Sequence, residues 1–135
     1  MATVLVYATE PVIRDQITLS IGRSPGAGVD LTYVVTEHAD EVIGYADKGV
    51  PDLMILDGEA WPTGGLGLCR QLKNELSPCP PVIALVGRRD DRWLGQWSQA
   101  DAVLMHPIDA IELARTVVRL LNPPVAAAAA DKERT

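Results

Sequence analysis

The chain has 135 residues, 47% of them hydrophobic and 22% charged, which suits one domain with its own core and excludes disorder as the main state. Eighteen acids against twelve bases give a net charge of −6 with no Lys/Arg block. That balance speaks against nucleic-acid binding and against adsorption to anionic membranes, because phosphate neutralisation supplies most of that affinity. Two cysteines, Cys69 and Cys79, are too few for a disulfide framework. No secretory signal or membrane-spanning run is visible, so a soluble cytoplasmic protein is expected, without direct membrane insertion.

In chain order, apolar runs of strand length alternate with stretches of helical period. Thr3 to Ala8 is nearly continuously apolar, as in a parallel strand buried on both faces. Pro11 suits a helix N1 position, and Ile13, Ile17 and Ile21 recur every four residues until Gly22. Leu31 to Thr36 is a second strand. The helix after it turns Val42, Ile43 and Ala46 inward, with Gly49 as its C′ residue. Pro51 to Asp57 is a third strand ending on a carboxylate. A turn over 58–65 holds Trp61 and Pro62, and Leu66, Cys69, Leu72 and Leu76 mark the next helix. Val82 to Val86 is the fourth strand. Arg88, Arg89, Asp90, Asp91 and Arg92 form a charged, solvated turn into a short helix carrying Trp93, Leu94 and Trp97. Ala102 to Met105 is the fifth strand, followed by His106-Pro107. Asp109 and Glu112 make a capping-box pattern for a last helix with Leu113, Val117, Leu120 and Leu121 inward. The domain is expected over 1–121. Residues 122–135, rich in proline and alanine, are expected to form a disordered tail too short for an output domain.

Five strands alternating with five helices indicate an α/β fold. Right-handed crossovers with helices on both faces give a doubly wound, flavodoxin-like parallel sheet of order 2-1-3-4-5. In that order the functional crevice lies outside the carboxyl ends of strands one and three. Those ends are Ala8-Thr9-Glu10 and Asp57-Gly58-Glu59, so topology alone points at Asp57.

The stretch Val4 to Arg14, the strand Pro51 to Asp57, the helix Gly65 to Lys73 and the pair His106-Pro107 together resemble the receiver domains of two-component response regulators (CheY-like), over about residues 2–121. The resemblance implies a phosphoacceptor at Asp57. It also implies two acids after strand one that hold Mg²⁺, a hydroxyl ending strand four, a lysine after strand five and an aromatic switch residue on strand five. Here those positions are Ala8 and Thr9, Val86, His106 and Val103. Alanine and threonine bring no charge to a hard cation. Glu10 and Glu59 are the nearest substitutes in sequence, but Glu10 aligns one residue past the metal-binding acids and need not face the pocket. The pattern is that of an atypical, degenerate receiver (a pseudo-receiver).

That pattern leads to a stand-alone, non-enzymatic receiver without cofactor or metal, acting by protein docking. The docking face expected is helix four, strand five and helix five, with Trp93, Leu94, Trp97 and Val103 on it. Trp61 is a further contact candidate. Such a protein suits an accessory subunit of a larger assembly, and the peripheral arm of respiratory NADH:quinone oxidoreductase is one assembly suggested by the resemblance. The alternative is a working phosphorelay receiver that takes phosphate from a histidine kinase onto Asp57, with Mg²⁺ as its cofactor. A flavodoxin-type nucleotide module is disfavoured, because Ala8-Thr9-Glu10-Pro11 lacks a glycine- or hydroxyl-rich phosphate cradle. His106 is open to two readings, a passive strand-end residue or a pH-sensitive partner of Asp57, since histidine titrates near neutrality. Asp57 itself is open to residual phosphorylation or to a merely structural place in the turn.

Overall fold

β-branched and leucine-rich runs form the five strands, and the computed structural model describes residues 1–26, 28–87 and 92–121. The charged turn at 88–91 and the tail 122–135 lie outside the described residues. β1 (Ala2–Tyr7), β2 (Leu31–Thr36), β3 (Leu53–Asp57), β4 (Val82–Val86) and β5 (Ala102–Met105) make one parallel sheet of order β2-β1-β3-β4-β5. The order expected from sequence is therefore the order found. Two strands start elsewhere than expected. β1 begins at Ala2, because Ala2 pairs with Leu31, and Ala8 lies past its end. β3 begins at Leu53 rather than Pro51, since proline has no N–H to give a ladder. Asp52 instead closes the entrance to the strand, its N–H donating to the Thr3 carbonyl and its carboxylate accepting the Thr3 N–H, each at 2.8 Å.

Alternation along β1 sends Val4 and Val6 to one side and Leu5 and Tyr7 to the other. Helices α1 (Pro11–Ile21) and α5 (Ala110–Leu121) cover the first side, burying Ile17, Ile21, Leu113 and Val117. Helices α2 (Ala39–Asp47) and α3 (Gly65–Glu75) cover the second with Val42, Ala46, Leu68, Cys69 and Leu72. α4 (Arg92–Trp97) is short and packs against β4 and β5. With both faces covered, every residue of β3 and β4 is buried, which explains their unbroken apolar runs.

The helix boundaries follow from local chemistry. Pro11 opens α1, and Gly22, at φ 72°, donates its N–H to the Thr18 carbonyl to close it. Gly49, at φ 71°, follows α2 in the left-handed conformation that favours glycine. The stripe expected on α3 is rotated. Leu68 is buried whereas Leu66 is half-buried against the turn at Gly58, because the first turn of α3 is pressed onto the end of β3 at Gly65. On α5 the Asp109 carboxylate accepts the N–H groups of Ile111 and Glu112, both at 3.0 Å, which is the N-cap half of the expected box. Asp109→Ala is expected to cost about 1 kcal/mol in urea unfolding, and Asp109→Asn to keep most of that stability. Among the described residues, no helix is long and apolar enough to cross a membrane.

Candidate functional site

β1 is flanked by β2 on one side and β3 on the other, and the chain leaves the two central strands in opposite directions at their carboxyl ends. Asp57, the last residue of β3, stands in that crevice with 3% exposure. A buried carboxylate requires partners, and among the described residues it has two. The His106 Nε2 lies 3.0 Å from Asp57 Oδ1, and the Glu59 backbone N–H donates to the same oxygen at 3.0 Å. His106 is brought there by β5, next to β4. Its own N–H donates to the Val86 carbonyl at 2.9 Å, and its bond to Pro107 is cis. Sequence reading left His106 open between a passive residue and a partner of Asp57, and the structure places the two side chains in contact.

A cavity of about 560 Å³ opens over this pair, lined by Glu10, Ile13, Gln16, Glu59, Gly87 and Pro107 besides the pair itself. Glu10 thus lines the crevice, a direction that its alignment had left open. The first residue before α1 projects over the end of the sheet once Pro11 begins the helix. The Glu59 carboxylate lies against Gly87, where any Cβ would collide with it. Tyr7 is buried beneath the crevice. Burial first, and the Asp57 charge second, push its phenol pKa up, so it stays a protonated donor. It donates to the Thr63 carbonyl at 2.6 Å.

The positions that a receiver would use for metal are otherwise engaged. Ala8 is fully buried, and the Thr9 Oγ1 accepts the Trp61 N–H at 3.4 Å. Val86 is buried at the end of β4 and offers no hydroxyl. Val103 packs against Gly95 of α4, and an added Cβ there would lie 2.6 Å from its methyl. Among the described residues, no three of His, Cys, Asp and Glu gather in a way that could hold a metal ion. The residues present therefore do not fit the magnesium cage implied by the resemblance.

The three tryptophans separate. Trp61 is 79% and Trp93 65% exposed. Trp97 is half-covered, with the Arg70 guanidinium 4.6 Å from its ring centroid and bonded at 2.6 Å to its carbonyl. That contact from α3 distinguishes Trp97 from Trp93 on α4. Leu94 and Val103 are half-buried. Cys69 is buried and Cys79 half-buried, both free. What the sequence reading missed is the clamp from Tyr7 and Thr9 onto the loop after β3. The only available signal was a tyrosine and a threonine beside the expected acidic positions. A second, apolar cavity of about 590 Å³ lies between α1 and α5, away from Asp57, with Pro25, Ile111 and Val118 in its walls.

No family model matches the chain. Two curated relatives, each an uncharacterized response regulatory protein of Mycobacterium tuberculosis (strains CDC 1551 and H37Rv), are 47% identical over 122 residues, covering 90% of this chain and 92% of the relative. The transcriptional regulatory protein CreB of Escherichia coli is 39% identical over 122 residues, which is 89% of this chain and 51% of CreB. Among solved structures, the receiver domain of the TMAO respiratory system response regulator TorR superposes with a TM-score of 0.74 at 25% identity, covering 90% of this chain and 97% of that one. The beryllofluoride-activated receiver domain of Klebsiella pneumoniae RstA gives 0.73 at 18% identity, covering 89% and 98%. With the sheet order, the acid ending β3 and relatives spanning nearly the whole chain, the protein belongs to the response regulators, as a CheY-like receiver domain.

Proposed function

We propose that this receiver works by docking to a protein partner and that phosphoryl uptake at Asp57 is silenced. One observation carries the reading. Asp57 Oδ1 is held by the His106 imidazole and the Glu59 N–H, while Ala8 and Thr9 supply no carboxylate beside it. A phosphoryl group arriving there meets Glu10 and Glu59 lining the same cavity, with no cation cage to offset their charge. In this reading the protein needs no cofactor, catalyses no step of its own and contacts no nucleic acid. It acts in the cytoplasm as an accessory or regulatory subunit. The peripheral arm of respiratory NADH:quinone oxidoreductase is the assembly to examine first.

The test is incubation with acetyl phosphate and Mg²⁺ followed by intact-mass measurement. The expected result is no gain in mass. A stoichiometric gain of one phosphoryl group, lost in Asp57→Asn, would refute the silent reading and favour a working phosphorelay receiver.

A further inference from the structure

We infer that the loop between β3 and α3 is the docking surface, with Trp61 as its anchor. Its occupant is a partner protein offering an apolar pocket edged by lysine or arginine. The inference rests on the docking reading above and names where and with what chemistry docking occurs.

Three observations carry it. First, Trp61 is 79% exposed, more than the other two tryptophans, and a large exposed aromatic ring is the side chain that most often anchors an interface. Second, the ring is presented by a loop that is already held. Tyr7 donates its O–H to the Thr63 carbonyl at 2.6 Å, the Thr9 hydroxyl accepts the Trp61 N–H at 3.4 Å, and Ala60 is buried under the loop. A held loop has little ordering left to do on binding. Thr9 stands where the resemblance places a metal-binding acid, so this position holds a recognition loop in place of an ion. Third, the rim formed by the described residues is acidic. Glu59 lies two residues before Trp61 and Glu10 directly after Thr9, and both are exposed. Among the described residues, neither forms a salt bridge with a basic side chain. A second copy of a chain with net charge −6 would bring like charge to like, so the complementary occupant is a different, basic surface. Trp97 is committed to Arg70, which leaves Trp93 as the comparison position.

The experiment places the photo-crosslinking residue p-benzoylphenylalanine at position 61, and separately at 93, of the full chain in its organism of origin. Crosslinked peptides are identified by mass spectrometry, and affinity for the purified partner is then measured. The expected crosslink from position 61 falls on a partner peptide with Lys or Arg beside the contact. Trp61→Ala weakens binding by about thirtyfold or more with an unchanged thermal midpoint. Glu10→Gln with Glu59→Gln flattens the loss of affinity with salt. Thr9→Val, which keeps the indole, weakens binding a few-fold. The inference is overturned if Trp61→Ala binds as the parent does, or if the crosslink from position 61 lands on a second copy of this chain or on an acidic peptide. Crosslinks from position 93 alone overturn it while leaving the docking reading standing. No crosslinked protein at either position removes both, and a mass gain at Asp57 removes only the silent reading.

Discussion

Gly65→Ala is expected to lower stability by about 2–3 kcal/mol, although it adds a single methyl group at the start of a helix. A Cβ there would sit 2.6 Å from the Asp57 carbonyl oxygen and 2.7 Å from its carbon, with the Leu56 carbonyl carbon at 2.8 Å. All three contacts are backbone, so no side chain can swing aside. β3 cannot retreat either, because it is hydrogen-bonded to β1 on one side and β4 on the other. α3 must lift off the sheet, which opens the contacts of Leu68, Cys69 and Leu72. Gly67, two residues on in the same helix, has nothing within 4 Å of its added Cβ. There alanine only removes the helix penalty of glycine, and Gly67→Ala is expected to stabilise by up to about 1 kcal/mol. Urea unfolding of both variants checks the pair. Equal midpoints would mean that α3 does not rest on the backbone of β3.

Alkaline pH is expected to destabilise the fold in two overlapping steps. Cys69 is fully buried, and burial is the main cause that pushes its thiol pKa up to about 11 from an ordinary 9.0. The Ser98 hydrogen bond and the Lys73 charge pull it down, and Cys79 and Asp101 push it slightly up. Between those two values the folded protein keeps a proton that the unfolded chain has released. Unfolding is therefore favoured as pH rises through that window, and the stabilisation present below pH 9 is lost by about pH 11. At roughly 1.4 kcal/mol per unit, the loss is about 2–3 kcal/mol. Tyr33, raised by burial to about 12 from 10.0 with its O–H bonded to the Gly22 carbonyl at 2.5 Å, extends the loss upward. Denaturation midpoints taken from pH 8 to pH 11 should fall with a slope that flattens in Cys69→Ala. An unaltered slope in that variant would remove Cys69 as its source.

Much of the site was readable because the fold was. Short unbroken runs such as Val82 to Val86, bounded by Pro81 and Gly87, read as strands buried on both faces, and their alternation with helical period leaves few topologies. Once the order is known, the acid ending β3 falls in the crevice without further information. The resemblance adds which neighbours should be acidic, and Ala8 and Thr9 stand out by what they lack.

Partnerships across long separations in the chain were at most open alternatives in the sequence. His106 and Asp57 are 49 residues apart, Trp61 and Thr9 52, and Arg70 and Trp97 27. Spacing put Trp93 and Trp97 on one face of a short helix, but whether a cation from α3 would reach either depends on how α3 and α4 cross. Alignment left the direction of Glu10 open, and its place in the wall of the cavity is settled only by the packed structure. Local periodicity and β-branched composition, which act within a few residues, determined the elements, their order and the place of Asp57. The contacts that hold Asp57, fix the loop after β3 and cover Trp97 were decided by tertiary structure alone. They depend on side-chain directions at crossover ends, and those are set only when separate elements pack.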